Sequence, residues 1–174
     1  KVKAWDFRLA NINTSECLNV AYCVDANYLD GVGVSITSIV LNNRHINLDF
    51  YIIADVYNDC FFQKIAKLAE QNQLRITLYR INTDKLQCLP CTQVWSRAMY
   101  FRLFAFQLLG LTLDRLLYLD ADVVCKGDIS QLLHLGLNGA VAAVVKDVEP
   151  MQEKAVSRLS DPELLGQYFN SGVV

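Results

Sequence analysis

The 174-residue sequence lacks a block of charge of either sign. Its 16 lysine and arginine residues and 18 aspartate and glutamate residues are scattered along the chain and give a formal net charge of −2. A protein that binds nucleic acid needs a clustered basic surface to contact the phosphates. The charge pattern therefore excludes nucleic acid as an expected partner.

The chain also lacks an apolar run that could cross a bilayer without burying charge. Its most apolar stretch, residues 101–124, is interrupted by Arg102, Gln107, Asp114 and Arg115, and polar groups of this kind are costly in hydrocarbon. The signal-peptide pattern of a basic start, an apolar segment and a small-residue cleavage site is missing as well. Since the six cysteines lie mostly in or beside apolar runs, we expect a reducing, cytoplasmic setting.

What is present is the composition of one compact domain. With 53% hydrophobic and 20% charged residues, a chain of this length buries a core that needs no disulfide or structural metal. We therefore predict that residues 1–174 form a single domain. The sequence has no initiator methionine and stops in an expected strand at Val174, so we expect it to be part of a longer protein.

Apolar strands alternate with segments of helical spacing along the chain. The predicted strands are 18–24, 50–54, 76–81, 116–119 and 140–145, with one more from Phe169. The predicted helical segments are 31–41, 61–69 and a helix buried on nearly every side from about Trp95 to Leu109, with a helical turn at 129–133. Continuous apolar strands that alternate with helices are typical of a mainly parallel sheet covered on both faces, which predicts a Rossmann-like α/β domain.

Acidic residues follow several of the predicted strands. Ligands of open parallel sheets bind at the carboxyl ends of the strands. The loops that start at Asp25, Asp55, Asp120 and Lys146 are therefore expected to face one crevice.

The most specific local signal is the apolar strand that runs into Asp120, Ala121 and Asp122. In an extended chain, residues two apart point the same way, and the small Ala121 lets a ligand approach the backbone. Mg²⁺ and Mn²⁺ prefer oxygen ligands, often one or two carboxylates completed by phosphate oxygens. The motif predicts a divalent metal site that accepts a diphosphate.

Acidic pairs of this spacing also occur in proteins that bind no diphosphate. Acids that only end a strand at a turn are common, but here they follow a very apolar strand at the expected ligand edge. A calcium-binding EF-hand is excluded because Val124 and Cys125 stand where that loop needs a side-chain oxygen and a glycine. A haloacid-dehalogenase-like phosphohydrolase, with Asp120 as nucleophile, stays an alternative, although its motif belongs on the first strand.

Four ordered motifs resemble one known family over nearly the whole chain, from about Leu18 to the end. They are 19–28 (NVAYCVDANY), 100–103 (YFRL), 117–122 (LYLDAD) and 168–173 (YFNSGV). The sequence is similar to the retaining glycosyltransferases that include lipopolysaccharide core glucosyl- and galactosyltransferases and the glycogenin-like enzymes. The resemblance implies a GT-A type nucleotide-sugar-binding domain.

The same resemblance implies roles for ten residues. The resemblance implies that the uridine part of the donor is bound by Val24, Asp25, Asn27 and Ala121. It implies that Mn²⁺ or Mg²⁺ is bound by Asp120 and Asp122. Those implied for the donor sugar, diphosphate and acceptor are Arg102, Asp147, Asn170 and Ser171. Asp120, Asp122 and Arg102 are the implied catalytic set. The family's carboxyl-terminal histidine ligand and its glycine-lysine-proline-tryptophan segment have no match here, and His45 and His134 are expected to be structural.

The implied activity is transfer of glucose or galactose from a UDP-sugar to a lipopolysaccharide core oligosaccharide, with retention of configuration. The implied setting is the cytoplasm, with peripheral association at the inner face of the bacterial inner membrane. The phosphohydrolase and a non-catalytic UDP-sugar-binding module are the alternatives.

Overall fold

A computed structural model describes residues 2–7, 16–92 and 96–174 of the chain. The chain divides into two compact units, Lys1–Leu135 and Gly136–Val174. The first unit contains a five-stranded sheet, and the second contains a two-stranded sheet.

The first unit alternates strands and helices. Its strands are β1 (Lys3–Phe7), β2 (Cys17–Val24), β3 (Asn47–Ala54), β4 (Arg75–Arg80) and β5 (Leu117–Leu119). Its helices are α1 (Leu29–Asn42), α2 (Asp59–Asn72) and α3 (Phe101–Leu109), with 3₁₀ turns at Ala26–Tyr28, Asp84–Leu86, Arg97–Tyr100 and Ser130–His134. The strand order is β1-β4-β3-β2-β5, and every neighbouring pair is parallel except β1 and β4. The predicted mainly parallel α/β fold is confirmed.

The central strands are continuous apolar runs because both faces of the sheet are covered. In β2 and β3 the side chains of Val20, Tyr22, Phe50 and Ile52 are all 0% exposed. Helix α1 contributes to this core, since the Tyr22 hydroxyl lies 2.9 Å from Ser35 Oγ. Burial on both faces explains why continuous apolar runs predicted β2, β3 and β4 to within a few residues.

Helix α2 begins and ends at residues suited to those positions. The side chain of Asn58 accepts a hydrogen bond from the amide of Phe61 at 2.7 Å, which caps the first turn. At the other end Gln73 adopts a left-handed conformation with a φ of 54°, and its amide bonds to the carbonyls of the last turn.

Strand β1 is an edge strand that the sequence patterns did not predict. It pairs antiparallel with β4, and its residues alternate between half-buried and exposed. Its aromatic side chain at Trp5 makes edge contacts with Tyr57 and Phe62, at ring-centroid distances of 5.9 and 5.2 Å. An edge strand with one packed face has too little apolar content to stand out in a search for continuous runs.

The helix predicted from about Trp95 starts later. Trp95 lies outside the described residues; a 3₁₀ turn at Arg97–Tyr100 leads into α3 at Phe101. The prediction of burial on nearly every side is wrong, because Leu103 is 61% exposed while Phe101 and Ala105 are buried. Among the described residues, neighbouring elements cover one face of α3 and leave the other exposed.

The second unit contains β6 (Val145–Lys146), α4 (Glu149–Leu159), a 3₁₀ turn at Pro162–Leu164 and β7 (Phe169–Asn170). Strands β6 and β7 pair antiparallel in a sheet of their own. The predicted buried strand at 140–145 is therefore wrong: residues 140–145 are exposed and only Val145 belongs to a strand. Strand-forming residues make a strand only where a partner strand is aligned with them.

The buried amide of Gln152 organises the second unit internally. Gln152 is 3% exposed and accepts a hydrogen bond from the amide of Tyr168 at 2.9 Å. Its own amide group donates to the carbonyl of Asp147 at 3.0 Å and to the carbonyl of Tyr168. In neither unit does a helix within the described ranges have the length and apolar character needed to span a bilayer.

Candidate active site at the carboxyl edge of the sheet

Three acidic residues follow three adjacent parallel strands. Asp55 follows β3, Asp25 follows β2 and Asp120 follows β5, and these strands are neighbours in the order β3-β2-β5. The carboxyl ends of parallel neighbours meet at one edge, which we call the carboxyl edge. The predicted common edge is confirmed for these three residues. Lys146 belongs to the second, antiparallel sheet, so the expectation that its loop faces the same crevice stays a prediction.

Asp25 shapes the start of the loop after β2. Its carboxylate accepts a hydrogen bond from the amide of Asn27 at 2.9 Å and caps the short 3₁₀ turn at Ala26–Tyr28. Asn27 is exposed, whereas Val24 is 3% exposed. The loop thus presents the exposed Asn27 side chain beside a carboxylate held by a hydrogen bond, whereas the Val24 side chain is buried in the core.

Asp120, Arg102 and Tyr118 form a cluster around one carboxylate oxygen. The Tyr118 hydroxyl donates to Asp120 Oδ1 at 2.9 Å, and Arg102 Nη2 lies 3.1 Å from the same oxygen. The Arg102 guanidinium also lies 4.8 Å from the centroid of the Tyr118 ring, within the range of a cation–π contact. Helix α3 therefore places Arg102 at the end of β5, in contact with Asp120.

Burial keeps two groups at this cluster, the Tyr118 phenol and the Cys23 thiol, protonated. Tyr118 is 0% exposed, and burial, followed by the neighbouring Cys23 and Asp120, raises the pKa of its phenol well above the ordinary range. Burial likewise raises the pKa of the Cys23 thiol, an effect that Arg102 opposes. Both groups stay protonated at neutral pH, so the Tyr118 hydroxyl is the donor toward Asp120 and Cys23 is an inert neighbour.

Ala121 and Asp122 form a turn after Asp120, and we call residues 120–122 the acidic loop. Asp122 is exposed, and in the part of the chain that the structure describes no hydrogen bond or ion pair occupies its carboxylate. Ala121 is 8% exposed and lies against α1 at Gly31, where an added Cβ would come within 3.0 Å of the Ala121 carbonyl oxygen. The loop therefore contains one fixed carboxylate and one carboxylate open to solvent.

Two polar side chains of α1 hold the chain just beyond the acidic loop. Ser38 Oγ accepts a hydrogen bond from the amide of Cys125 at 2.9 Å. Asn42 donates to the carbonyl of Cys125 at 3.1 Å and to the carbonyl of Ser38 in its own helix at 2.8 Å.

The side chain of Asn43 extends this anchoring and is 0% exposed. It donates to the carbonyls of Gly127 and Ile39 at 3.2 and 2.9 Å, and its oxygen accepts from the amide of Ile129 at 2.8 Å. The sequence patterns missed this residue and Tyr118. A polar residue at the end of an amphipathic helix and a tyrosine in an apolar strand give no sign of the partners they have in the fold.

The donor set suits a hard divalent cation. One oxygen of Asp120 accepts two hydrogen bonds, and no contact among the described residues occupies its second oxygen. The free oxygen of Asp120 and the exposed Asp122 carboxylate are the oxygens that could hold a cation here, and Mg²⁺ and Mn²⁺ commonly combine one or two carboxylates with water and phosphate. In residues 2–7, 16–92 and 96–174 no group of three or more His, Cys, Asp or Glu side chains could hold a metal by itself.

The remaining predicted residues lie in the second unit. Asp147 accepts a hydrogen bond from the amide of Val148 at 2.8 Å, and Asn170 accepts one from the amide of Gly172 at 2.8 Å. Asn170 pairs with Val145 across the small sheet, and Ser171 is exposed. The structure brings Asp147 and Asn170 into the same small unit, and their roles toward sugar or acceptor stay predictions.

The model of glycosyl transferase family 8 matches residues 19–174, most of the chain. The chain belongs to glycosyl transferase family 8. Family membership and the position of the acids after β5, rather than after a first strand, remove support for the phosphohydrolase alternative.

Two curated relatives of this family 8 chain act on lipopolysaccharide according to their names. It is 99% identical over 174 residues to the lipopolysaccharide 1,2-glucosyltransferase of Escherichia coli strain K12, covering 100% of this chain and 52% of that protein. It is 37% identical over 172 residues to the lipopolysaccharide 1,3-galactosyltransferase of Salmonella typhimurium, covering 97% of this chain and 51% of that protein. The chain thus spans about half the length of the curated relatives it matches.

Solved structures share the fold. The galactosyltransferase LgtC, in complex with donor and acceptor sugar analogues, gives a TM-score of 0.74 at 20% identity and covers 90% of this chain and 56% of that chain. The bifunctional glycosyltransferase WbbM gives 0.73 at 19% identity, covering 95% and 32%. The predicted GT-A type fold is confirmed.

Proposed function

We propose that this chain is the donor-binding domain of a retaining glycosyltransferase that moves a hexose from its UDP derivative to a lipopolysaccharide core oligosaccharide. The observation that carries the proposal is the placement of Asp120 and Asp122 at the carboxyl edge, one strand away from the loop that starts at Asp25. Glucose is the favoured donor sugar, since the relative that is 99% identical is named a 1,2-glucosyltransferase; galactose is the second candidate.

In this proposal the two acids hold Mn²⁺ or Mg²⁺, and the loop after β2 binds the nucleoside. Asp25 and Asn27, with the backbone at Val24 and Ala121, contact uracil and ribose. The cation supplies charge neutralisation for the diphosphate when it is bound. The position of this loop at the carboxyl edge and the exposed Asn27 amide support this placement of the nucleotide.

Arg102 serves the leaving group and the donor sugar. Departure of a nucleoside diphosphate builds negative charge on the leaving oxygen, and fixed donors in a partly dry site stabilise that charge with little reorganisation. The Arg102 side chain is 18% exposed and is already oriented by Asp120 and the Tyr118 ring. Its planar set of N–H donors suits phosphate or sugar oxygens.

The second unit is assigned to the sugar and acceptor side of the reaction. Asp147, Asn170 and Ser171 are proposed to contact the donor sugar or the core oligosaccharide, and residues 1–174 are proposed to act as one donor-binding domain. Peripheral association with the inner face of the bacterial inner membrane would bring the lipid-linked acceptor to this domain.

Calorimetric titration of UDP-glucose and UDP-galactose, with and without MnCl₂, tests the proposal. The titrations use this chain and the 99% identical Escherichia coli relative that contains the equivalent residues. We expect binding that requires manganese and that weakens at least about ten-fold in Asp120→Asn and in Asp122→Asn. Asp114→Asn, which neutralises an exposed carboxylate just before β5, is the matched control and should bind as the unmodified protein does.

The outcomes separate the alternatives. Donor binding without hexose transfer to lipopolysaccharide by the relative would favour a non-catalytic binding module. Phosphate release with magnesium and a covalent aspartyl intermediate on Asp120 would favour a phosphohydrolase. If neither UDP-sugar binds in the presence of manganese, the proposed function is wrong.

A further inference from the structure

The hydroxyl of Tyr118 is a buried donor that is aimed at the candidate metal ligand. Tyr118 is the central residue of the three-residue strand β5, and its side chain is 0% exposed. Its phenol donates to Asp120 Oδ1 at 2.9 Å. A buried hydroxyl loses much of its stabilisation when its partner turns away, because water is not there to replace it. The hydroxyl therefore favours one orientation of the Asp120 carboxylate.

The ring of the same residue supports the second partner of that oxygen. The Arg102 guanidinium lies 4.8 Å from the Tyr118 ring centroid and 3.1 Å from Asp120 Oδ1. Phe106, one turn further along α3, contacts the ring edge-on at a centroid distance of 5.7 Å. Tyr118 thus contacts the helix that carries Arg102 and the loop that carries Asp120 at the same time.

We propose that Tyr118 is a positioning residue of the donor site. Its hydroxyl and the Arg102 it supports fix Asp120 Oδ1, so that the second carboxylate oxygen stays turned toward the cation and diphosphate. This inference rests on the proposed function, since it assigns Tyr118 a role in binding UDP together with a divalent cation. The role is exerted through Asp120 and Arg102, without contact between Tyr118 and the ligand.

The sheet offers a matched control for a role in packing alone. Tyr22 lies in β2, next to β5, and is also 0% exposed. Its hydroxyl makes a buried hydrogen bond of 2.9 Å to Ser35 of α1, on a helix rather than on the acidic loop. Removal of either hydroxyl deletes a buried hydrogen bond, but removal of the Tyr118 hydroxyl alone releases Asp120.

The test compares Tyr118→Phe with Tyr22→Phe in the full-length Escherichia coli relative. Thermal unfolding is expected to shift downward by a similar amount in both variants. Binding of UDP in the presence of MnCl₂, measured by calorimetry, is expected to weaken by about three- to ten-fold in Tyr118→Phe and to stay unchanged in Tyr22→Phe. In transfer assays, KM for UDP-glucose should rise in Tyr118→Phe, a change that loss of stability alone does not produce.

Two results would overturn the inference while leaving the proposed function intact. One is unchanged affinity for UDP and manganese in Tyr118→Phe; the other is equal weakening in Tyr22→Phe. If the unmodified relative fails to bind UDP with manganese, the proposed function and this inference fall together.

A second variant keeps the inference testable if Tyr118→Phe does not fold. Asp120→Glu retains a carboxylate but adds a methylene, so one side chain cannot keep the Tyr118 and Arg102 contacts and also place its other oxygen where Asp120 had it. We expect weaker binding of UDP with manganese despite unchanged ligand chemistry. Affinity equal to that of the unmodified protein would show that the fixed orientation of Asp120 is dispensable.

Discussion

Two aspartate–arginine pairs lie at opposite ends of the parallel strands and differ in access to solvent. Asp49 of β3 pairs with Arg75, the first residue of the neighbouring β4, and the Asp49 side chain is 0% exposed. Asp120 pairs with Arg102 at the carboxyl edge, and its side chain is 37% exposed. Both pairs join a carboxylate to a guanidinium, so they differ in burial rather than in chemistry. The buried Asp49–Arg75 pair can serve only the fold, whereas the more exposed Asp120–Arg102 pair is accessible to a ligand.

The largest expected effect is at the buried pair. Asp49→Ala leaves Arg75, whose side chain is 20% exposed, without its partner. We expect a loss of about 3–5 kcal/mol in the free energy of unfolding, measured by urea titration. Asp120→Asn keeps an acceptor for Tyr118 at a more exposed site and should cost about 1 kcal/mol or less.

A companion variant sharpens this prediction. Replacing both members, as Asp49→Leu with Arg75→Met, should recover most of the lost stability because no buried charge is left unpaired. Equal losses in the free energy of unfolding for Asp49→Ala and Asp120→Asn would contradict the distinction between the buried pair and the solvent-accessible pair.

The next effect concerns the contact between α1 and the acidic loop. A methyl group at Gly31 would lie 3.0 Å from the Ala121 carbonyl oxygen, and backbone there has little room to move. We expect Gly31→Ala to lower the free energy of unfolding by about 1–3 kcal/mol. Because the shift falls on the residue between Asp120 and Asp122, binding of UDP with manganese should weaken as well.

Gly33 of the same helix is the control for this variant. A methyl group there would meet nothing within 4 Å among the described residues, and alanine stabilises helices relative to glycine. Gly33→Ala is expected to add about 0.4–1 kcal/mol to the free energy of unfolding and to leave nucleotide binding unchanged. A loss of stability in both variants would show that crowding against Ala121 is not the cause.

The smallest effect belongs to an exposed pair, Asp128 with His45, whose closest atoms are 3.3 Å apart. The amide of Ser130, then its hydroxyl and His45, lower the pKa of Asp128 below its usual 3.8. A carboxyl whose pKa is lowered by folding stabilises the protein above its unfolded pKa, and that contribution disappears as the pH falls through the lowered value.

Urea unfolding at about pH 5 and about pH 3 should detect this contribution. We expect Asp128→Asn to reduce the difference in stability between the two conditions, and His45→Gln to reduce it less, because the Ser130 amide is the larger cause. An unchanged pH difference in Asp128→Asn would show that other carboxyls account for acid sensitivity.

Prediction from sequence succeeded where a local pattern has one structural solution. Continuous apolar runs predicted β2, β3 and β4 because burial on both faces leaves no polar positions. The parallel arrangement then placed Asp25, Asp55 and Asp120 at one edge. Arg102 was assigned to the same site through a resemblance, and the structure shows its contact with Asp120.

Prediction failed where structure depends on distant partners. The run at 140–145 is apolar enough for a buried strand, but no strand of the described chain pairs with residues 140–144. The contact of Asn43 with Gly127 joins residues 84 positions apart. The orientation of Asp120 by Tyr118 depends on rotamers inside a packed core, which no spacing rule describes.

Helix α1 and its C-cap Asn43 contact residues 121–129 along their length: Gly31 lies against Ala121, and Asn43 bonds to Gly127 and Ile129 at the far end. A small rotation or slide of this helix would move both ends of the segment together. Substitutions on the face of α1 that contacts residues 121–129 should therefore change donor affinity. A search for variants with altered donor preference should therefore include this helix alongside the residues proposed to contact the sugar.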